Sequence, residues 1–459
     1  MPYYHTLGKI PRKRHIAFRK PDGSVYHEQL VGIEGFTGPA ALLYHIHPPT
    51  TVTSVRRLRE TPYLASEDKT LKHRHFKTAG VARGGSPTLD RVPMLFNDDI
   101  AMLYVAPDRE DEHFYRNAQG DEVVYVAEGE GHLETQYGDL PFIPGDYLVI
   151  HRHILHRYRF TKPAKLLVME SRGHIRPPKR YLNAVGQLVE GAPYSERDIR
   201  IPRELRTHDE KGAFPIVIKQ YNGLNEIVLD HHPLDVVGWD GQFYPWAFNI
   251  HDFEPIVGRV HQPPPVHQTF QGDGFVICSF CPRLLDFHPQ AVVVPYNHSN
   301  LDSDEVLYYV EGNYKARRGI ESGSLSMHPQ GIPHGPHPGT VETTLGATFT
   351  NELAVMVDTF RPLYPTQAAL DLDDLAYPMS WEEDPQVAAA RLLADKARAN
   401  GSSNGHANGG ANGSANGHAR TPKPAKAPSA KSKAKPGGKA KAAKPGVRVG
   451  EAKAANTWD

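Results

Sequence analysis

One segment of this chain occurs twice, and that limits the fold more than any other feature of the sequence. Asp121-Glu122-Val123-Val124-Tyr125-Val126-Ala127-Glu128-Gly129 returns 183 positions later as Asp304-Glu305-Val306-Leu307-Tyr308-Tyr309-Val310-Glu311-Gly312. Each copy is a short run of β-branched and aromatic residues closed by Glu-Gly turn chemistry, which predicts a strand. Each leads to a second strand (132–135; 314–317), then a glycine, a third strand and a turn bearing a histidine. Gly145 and His156 are eleven residues apart, and so are Gly323 and His334. One duplicated unit explains these correspondences. Short strands punctuated by Gly, Pro and Asn, with few long amphipathic runs, predict an all-β chain of two jelly-roll barrels. Residues 384–400 are the exception and read as a short helix, with Asp384 as N-cap and Pro385 in its first turn.

Charge divides the chain further. It carries 52 Lys+Arg against 52 Asp+Glu, but residues 401–459 hold eleven Lys/Arg and only two acids, Glu451 and Asp459. The balance of zero is therefore a body at −9 and a tail at +9. A Gly/Asn/Ala block followed by Lys/Ala/Pro repeats has too little apolar surface to offset ordering entropy, so the tail is expected to be disordered. It could hold nucleic acid loosely through phosphates, or serve only as a solubilising extension, since no aromatics interleave its lysines. The expected organisation is an N-terminal region with a degenerate barrel (1–205), a catalytic barrel (206–400) and the tail (401–459). Two cysteines exclude a disulfide-stapled scaffold. Mean hydropathy of −0.50, with no apolar run near the ~18 residues of a span, excludes transmembrane helices. The first residues lack a signal-peptide pattern, so a cytoplasmic location is expected. No P-loop, GxGxxG or GxSxG occurs, which leaves phosphoryl transfer, dinucleotide binding and serine hydrolysis without support.

Histidine carries the remaining signal. Of 26 histidines, 24 lie in the body, many in close sets: His45/His47, His73/His75, His151/His153/His156, His231/His232 and His328/His334/His337. Imidazole is the commonest protein metal ligand. In the second copy, His298 precedes the repeated strand, Glu305 opens it, and His334 follows in the later turn. Two imidazoles and a carboxylate facing one barrel leave three positions open, the usual set for non-haem Fe(II) oxygen chemistry. The first copy keeps Glu122 and His156 but has Tyr115 in place of His298, so a tight site there is not expected unless His113, His151 or His153 substitutes. Cys278 and Cys281 form a CxxC on a predicted strand. Residues three apart on a strand face opposite sides, so both are read as core. His45/His47 and His231/His232 are read as surface or satisfied loop residues.

Around this constellation the chain resembles the homogentisate 1,2-dioxygenase family of double cupins. The matching stretches are Pro-Tyr-Asn-His-Ser-Asn at 295–300, Glu-Gly-Asn-Tyr-Lys-Ala at 311–316, Gly-Ser-Leu-Ser-Met-His at 323–328 and Pro-His-Gly-Pro at 333–336. The likeness is strongest over about residues 230–360, continues in layout toward the N-terminus, and is absent from the tail. It implies Fe(2+) held by His298, Glu305 and His334, with Tyr314, His328 and His334 bordering a small aromatic acid. His261 would be the acid/base, with His267 its neighbouring alternative. Many family members place five residues between the first histidine and the carboxylate; here six separate His298 from Glu305, and Asp304 sits at the shorter spacing. Both carboxylates stay open, Glu305 being favoured by its match to Glu122. The implied reaction converts homogentisate and O₂ to 4-maleylacetoacetate in tyrosine and phenylalanine catabolism. The alternatives are a dioxygenase acting on another hydroquinone acid, such as gentisate, and a non-catalytic bicupin that binds a small ligand. The resemblance also implies a trimeric or hexameric homo-oligomer.

Overall fold

The computed structural model describes residues 3–312 and 319–382. The expected helix at 384–400, the tail and Tyr314 lie outside the described residues. The two copies of the repeat form the centres of two sheets with matching layout. In the first, strand Asp121–Thr135 lies between Asp146–Ile150 and His156–Ser171; in the second, Asp304–Glu311 lies between Ser324–His328 and Leu353–Thr359. The registers also match. Glu122 pairs with Ile150 and Glu170, and Glu305 with His328 and Asp358. Tyr125 and Tyr308, equivalent residues of the repeat, meet with ring centroids 6.4 Å apart where the copies touch.

Side chains alternate across each strand, so each copy buries both faces. Val306 and Tyr308 join the large core shared with the first copy, whereas Leu307 and Tyr309 pack with Val276, Cys278, Ala354 and Met356 inside the second barrel. Glu305 lies on this inner face. The two cysteines are divided as expected: both are free and buried, Cys278 in the inner cluster and Cys281 in the shared core. Burial pushes both thiols up, Cys281 to about 11, so neither is poised for redox chemistry.

Two expectations need correction. The first copy does not turn at Glu128-Gly129: one strand runs from Asp121 to Thr135, and the glycine sits at a bulge where pairing jumps from Lys165 to Lys162. Gly129 has φ of +99°, and a Cβ there would stand 2.6 Å from Ala164, so the bulge admits only glycine. The division at 205/206 also does not coincide with a change of sheet. Strands Lys211–Gln220, Gly223–His231 and Trp246–Asn249 complete the first sheet, while Arg74–Lys77 from the N-terminal region pairs with Ser324–His328 in the second. Trp246–Asn249 takes the equivalent position beside Asp146–Ile150, with the two-residue strand Ile199–Arg200 beyond it. Each barrel thus includes a strand from the other half of the chain. Among the described residues no helix is long and apolar enough to cross a membrane.

Candidate metal centre

In the second barrel, His298 and His334 exchange both backbone hydrogen bonds, each 2.8 Å, as an isolated bridge. Directly paired residues project to the same side, and here the imidazole centroids are 4.2 Å apart. Glu305 faces them from its strand. His298 Nε2 lies 3.6 Å from Glu305 Oε2, and His334 Nε2 lies 3.4 Å from Oε1. One ligand atom from each of the three falls within 4.8 Å of the others. Bonds of about 2.1 Å at right angles would put adjacent ligand atoms about 3 Å apart, so the cluster is nearly at ligand spacing.

The donor set also fits a cation. His298 Nδ1 donates to the Tyr296 carbonyl at 3.1 Å, which leaves Nε2 with its lone pair toward Glu305. His334 is 2 % exposed, and neither of its ring nitrogens has a hydrogen-bond partner. A buried imidazole aimed at a carboxylate without such a bond suits metal ligation better than structural pairing. Burial acts to raise the Glu305 carboxyl, but the imidazoles of His298, His328 and His334 hold it well below its usual range. Asp358, opposite Glu305, is pushed up to about 8 by burial and then by the Glu305 charge. Among the described residues no lysine or arginine pairs with either carboxylate.

Asp304 and Glu305 have separate tasks. Asp304 accepts backbone N–H bonds from Gln330 at 2.9 Å and Leu363 at 2.7 Å. Asp121 does the same in the first copy, with Arg152 and Ile175 as donors at 3.1 Å each. The aspartates tie the strand to its neighbours, and the glutamate is the residue brought to the histidines. Asp121 also lies with His151 and His174 in a second His/Asp cluster. There, however, Asp121 receives both Nδ1 atoms, at 2.7 and 3.0 Å, as well as the Arg152 guanidinium, so its oxygens are already committed.

His328 contacts Glu305 and Tyr377. Its Nδ1 donates to Glu305 Oε1 at 3.0 Å, and its Nε2 faces the Tyr377 hydroxyl at 3.1 Å. His261 is not brought into contact with the cluster. Its Nδ1 is 3.6 Å from Asp286, and its ring meets Tyr296, whose own ring lies 6.1 Å from His298. His267 stacks on Phe280 and is driven down to about 3 by burial and then by Arg283, which keeps it neutral. Four further residues border the site without having been assigned from sequence. His73 lies 5.5 Å from His328 and 6.0 Å from His334 by ring centroid. Trp381 packs on His73 and stacks on His337, Tyr377 holds His328, and Asp358 faces Glu305. Only the His73/His75 spacing offered a signal.

Two barrels with an imidazole–carboxylate cluster in the second define a bicupin protein. A sequence profile for the N-terminal part of homogentisate 1,2-dioxygenase matches residues 19–250. A curated protein of Saccharolobus solfataricus named "putative dioxygenase" is 41% identical over 384 residues, covering 83% of this chain and 99% of its own. The chain belongs to the homogentisate 1,2-dioxygenase family, which makes it an oxidoreductase of the dioxygenase kind. Among solved structures, a cupin 2 conserved barrel domain protein from Leptotrichia buccalis overlaps 64% of this chain and 100% of its own at 12% identity, with a TM-score of 0.28. Ylba from E. coli overlaps 65% of this chain and 93% of its own at 7% identity, with a TM-score of 0.29.

Proposed function

We propose that this protein is an Fe(II)-dependent ring-cleaving dioxygenase that converts homogentisate and O₂ to 4-maleylacetoacetate in aromatic amino-acid catabolism. One observation carries the reading: two imidazoles converge on the buried Glu305 carboxylate, with which no lysine or arginine among the described residues pairs. His298, Glu305 and His334 would hold the metal, which with two neutral imidazoles and one carboxylate keeps a net charge of +1 and favours an anionic ligand. Bound iron(II) would supply Lewis acidity and the redox partner for O₂. The chain would supply position and proton transfer. His328 orients Glu305 through Nδ1 and is itself held by Tyr377, so its role is to position the carboxylate rather than to touch substrate. His261, half-exposed beyond Tyr296, is the group suited to take the phenolic proton, because His267 at about 3 cannot accept one near neutral pH. Tyr314 would orient the ring by a hydrogen bond, as the resemblance implies.

The test is oxygen uptake by Fe(II)-loaded protein with homogentisate, gentisate and other para-dihydroxy aromatic acids. Rapid uptake with homogentisate, and formation of a ring-opened product, is the expected result. Uptake with gentisate alone would move the activity to another hydroquinone acid, and no uptake with any of them would leave a ligand-binding bicupin. We further propose that the enzyme works in the cytoplasm as a trimer or hexamer, with the basic tail outside its catalytic machinery. Deleting 401–459 should leave the turnover number within about two-fold of the full chain, because surface changes away from a site usually cost little. A large loss would tie the tail to the reaction.

A further inference from the structure

The first barrel repeats the geometry of the second but supplies the positive charge from its own chain. Glu122 and Glu170 face one another at the register positions of Glu305 and Asp358. His156 pairs with Tyr115 as His334 pairs with His298. In this barrel, however, Arg91 Nη1 donates to Glu122 Oε1 at 2.8 Å, and Lys219 Nζ donates to Glu170 Oε2 at 2.5 Å. Asn117 Nδ2 bridges the two carboxylates at 2.9 Å each. The sensed charges thus cancel: two carboxylates, one guanidinium and one ammonium.

The place that a metal would take is specific. Arg91, Glu122 and His156 have side chains 4 % exposed or less. Arg91 Nη2, Glu122 Oε2, His156 Nε2 and the Tyr158 hydroxyl are buried without hydrogen-bond partners. Buried polar groups without partners are uncommon in folded proteins, and four of them around one ion pair mean that the pair does not satisfy the groups converging on it. Tyr115 adds its ring beneath the guanidinium, with Cζ 5.6 Å from the centroid. None of His113, His151 and His153, the residues that could have replaced the missing imidazole, is a partner of Glu122. A guanidinium cannot lose its proton in a protein, so this charge is permanent.

We propose that Arg91 is an internal cation standing where a metal ion would sit, so that the first barrel is a latent divalent-metal site closed by the chain itself. The inference rests on reading the second barrel as a metal centre. Removing the guanidinium and restoring the missing imidazole should reopen the site, with Glu122, His156 and the introduced histidine as ligands.

Cobalt(II) bound per chain tests this, read by metal analysis and visible absorption on the full-length protein. Wild type should bind one equivalent, and Arg91→Ala/Tyr115→His should bind two, with Co(II) raising its thermal midpoint further than that of wild type. Arg91→Met/Glu122→Gln, which removes both charges, should fold and stay at one equivalent. A doubly substituted Arg91→Ala/Tyr115→His protein that folds but binds one equivalent would overturn the proposal. So would its failure to fold with Co(II) present while Arg91→Met/Glu122→Gln folds. Failure of both variants to fold would assign Arg91 a packing role and overturn it as well. Zero equivalents in wild type would instead sink the reading of the second barrel, which separates the two failures.

Discussion

Glu305→Gln is expected to lose the metal and reduce oxygen uptake by roughly a thousand-fold or more, about 4 kcal/mol of transition-state stabilisation, while Asp304→Asn keeps both. The contrast follows from strand alternation: neighbouring residues face opposite sides. Glu305 meets His298, His328 and His334 on the inner face. Asp304 accepts the Gln330 and Leu363 amides. Glutamine preserves size but removes the anion that draws in a cation, and its NH₂ would oppose the His328 Nδ1–H. Asparagine at 304 leaves one of two buried amides without its acceptor, a cost of about 1–3 kcal/mol in stability and none in metal content. Metal per chain, oxygen-electrode rates and denaturant midpoints separate the outcomes. Iron retained in Glu305→Gln, or lost from a stably folded Asp304→Asn, would reverse the assignment.

The contrast also marks where sequence reasoning ran out. The duplicated Asp-Glu-Val strand was legible because both copies need the same alternating faces, and it pointed to Glu305 through Glu122. Spacing alone could not choose between Asp304 and Glu305, because the choice depends on which face of the strand looks inward. Asp358 and Tyr377 were illegible for a different reason, and His73 was marked only by its spacing from His75. All three reach the site through sheet pairing and loop packing between segments far apart in the chain, as when Arg74–Lys77 pairs with Ser324–His328. That exchange of strands is also why a boundary drawn at residue 206 missed the sheets. Arg91 carried no signal as a lone arginine outside any motif, yet its ion pair with Glu122 separates the two barrels chemically.

Acid should destabilise this protein from about pH 6.5 downward, because histidines buried in neutral form must become charged. Asp358, pushed up to about 8, opposes them by keeping its proton in the native state, but it is one group against His151, His153, His232 and His267. His151 donates Nδ1–H to Asp121 and accepts from Trp246 Nε1 at 3.4 Å, and it is pushed down to about 4 chiefly by burial. His232 stacks on His208 at 3.9 Å, packs against Phe114 and Phe214, and accepts the Leu234 amide. It too falls to about 4, through burial and then the charge of His208. Unfolded, both would titrate near 6.5. Between pH 6.5 and 4 the unfolded chain therefore binds protons that the native state refuses, and stability falls with pH. Each shift corresponds to up to about 3 kcal/mol, fully present above 6.5 and lost on the way to 4. Glu122, at about 2 because Arg91 outweighs its burial, adds a later loss below its unfolded value near 4.5. Denaturant titrations of metal-stripped protein from pH 7.5 to 4.5 should show a steep fall beginning near 6.5. His232→Phe should lower stability at pH 7.5, where Leu234 loses its acceptor, and make the slope below 6.5 shallower by about one proton. A wild-type stability unchanged from pH 7.5 to 4.5 would mean that these imidazoles ionise freely in the native state.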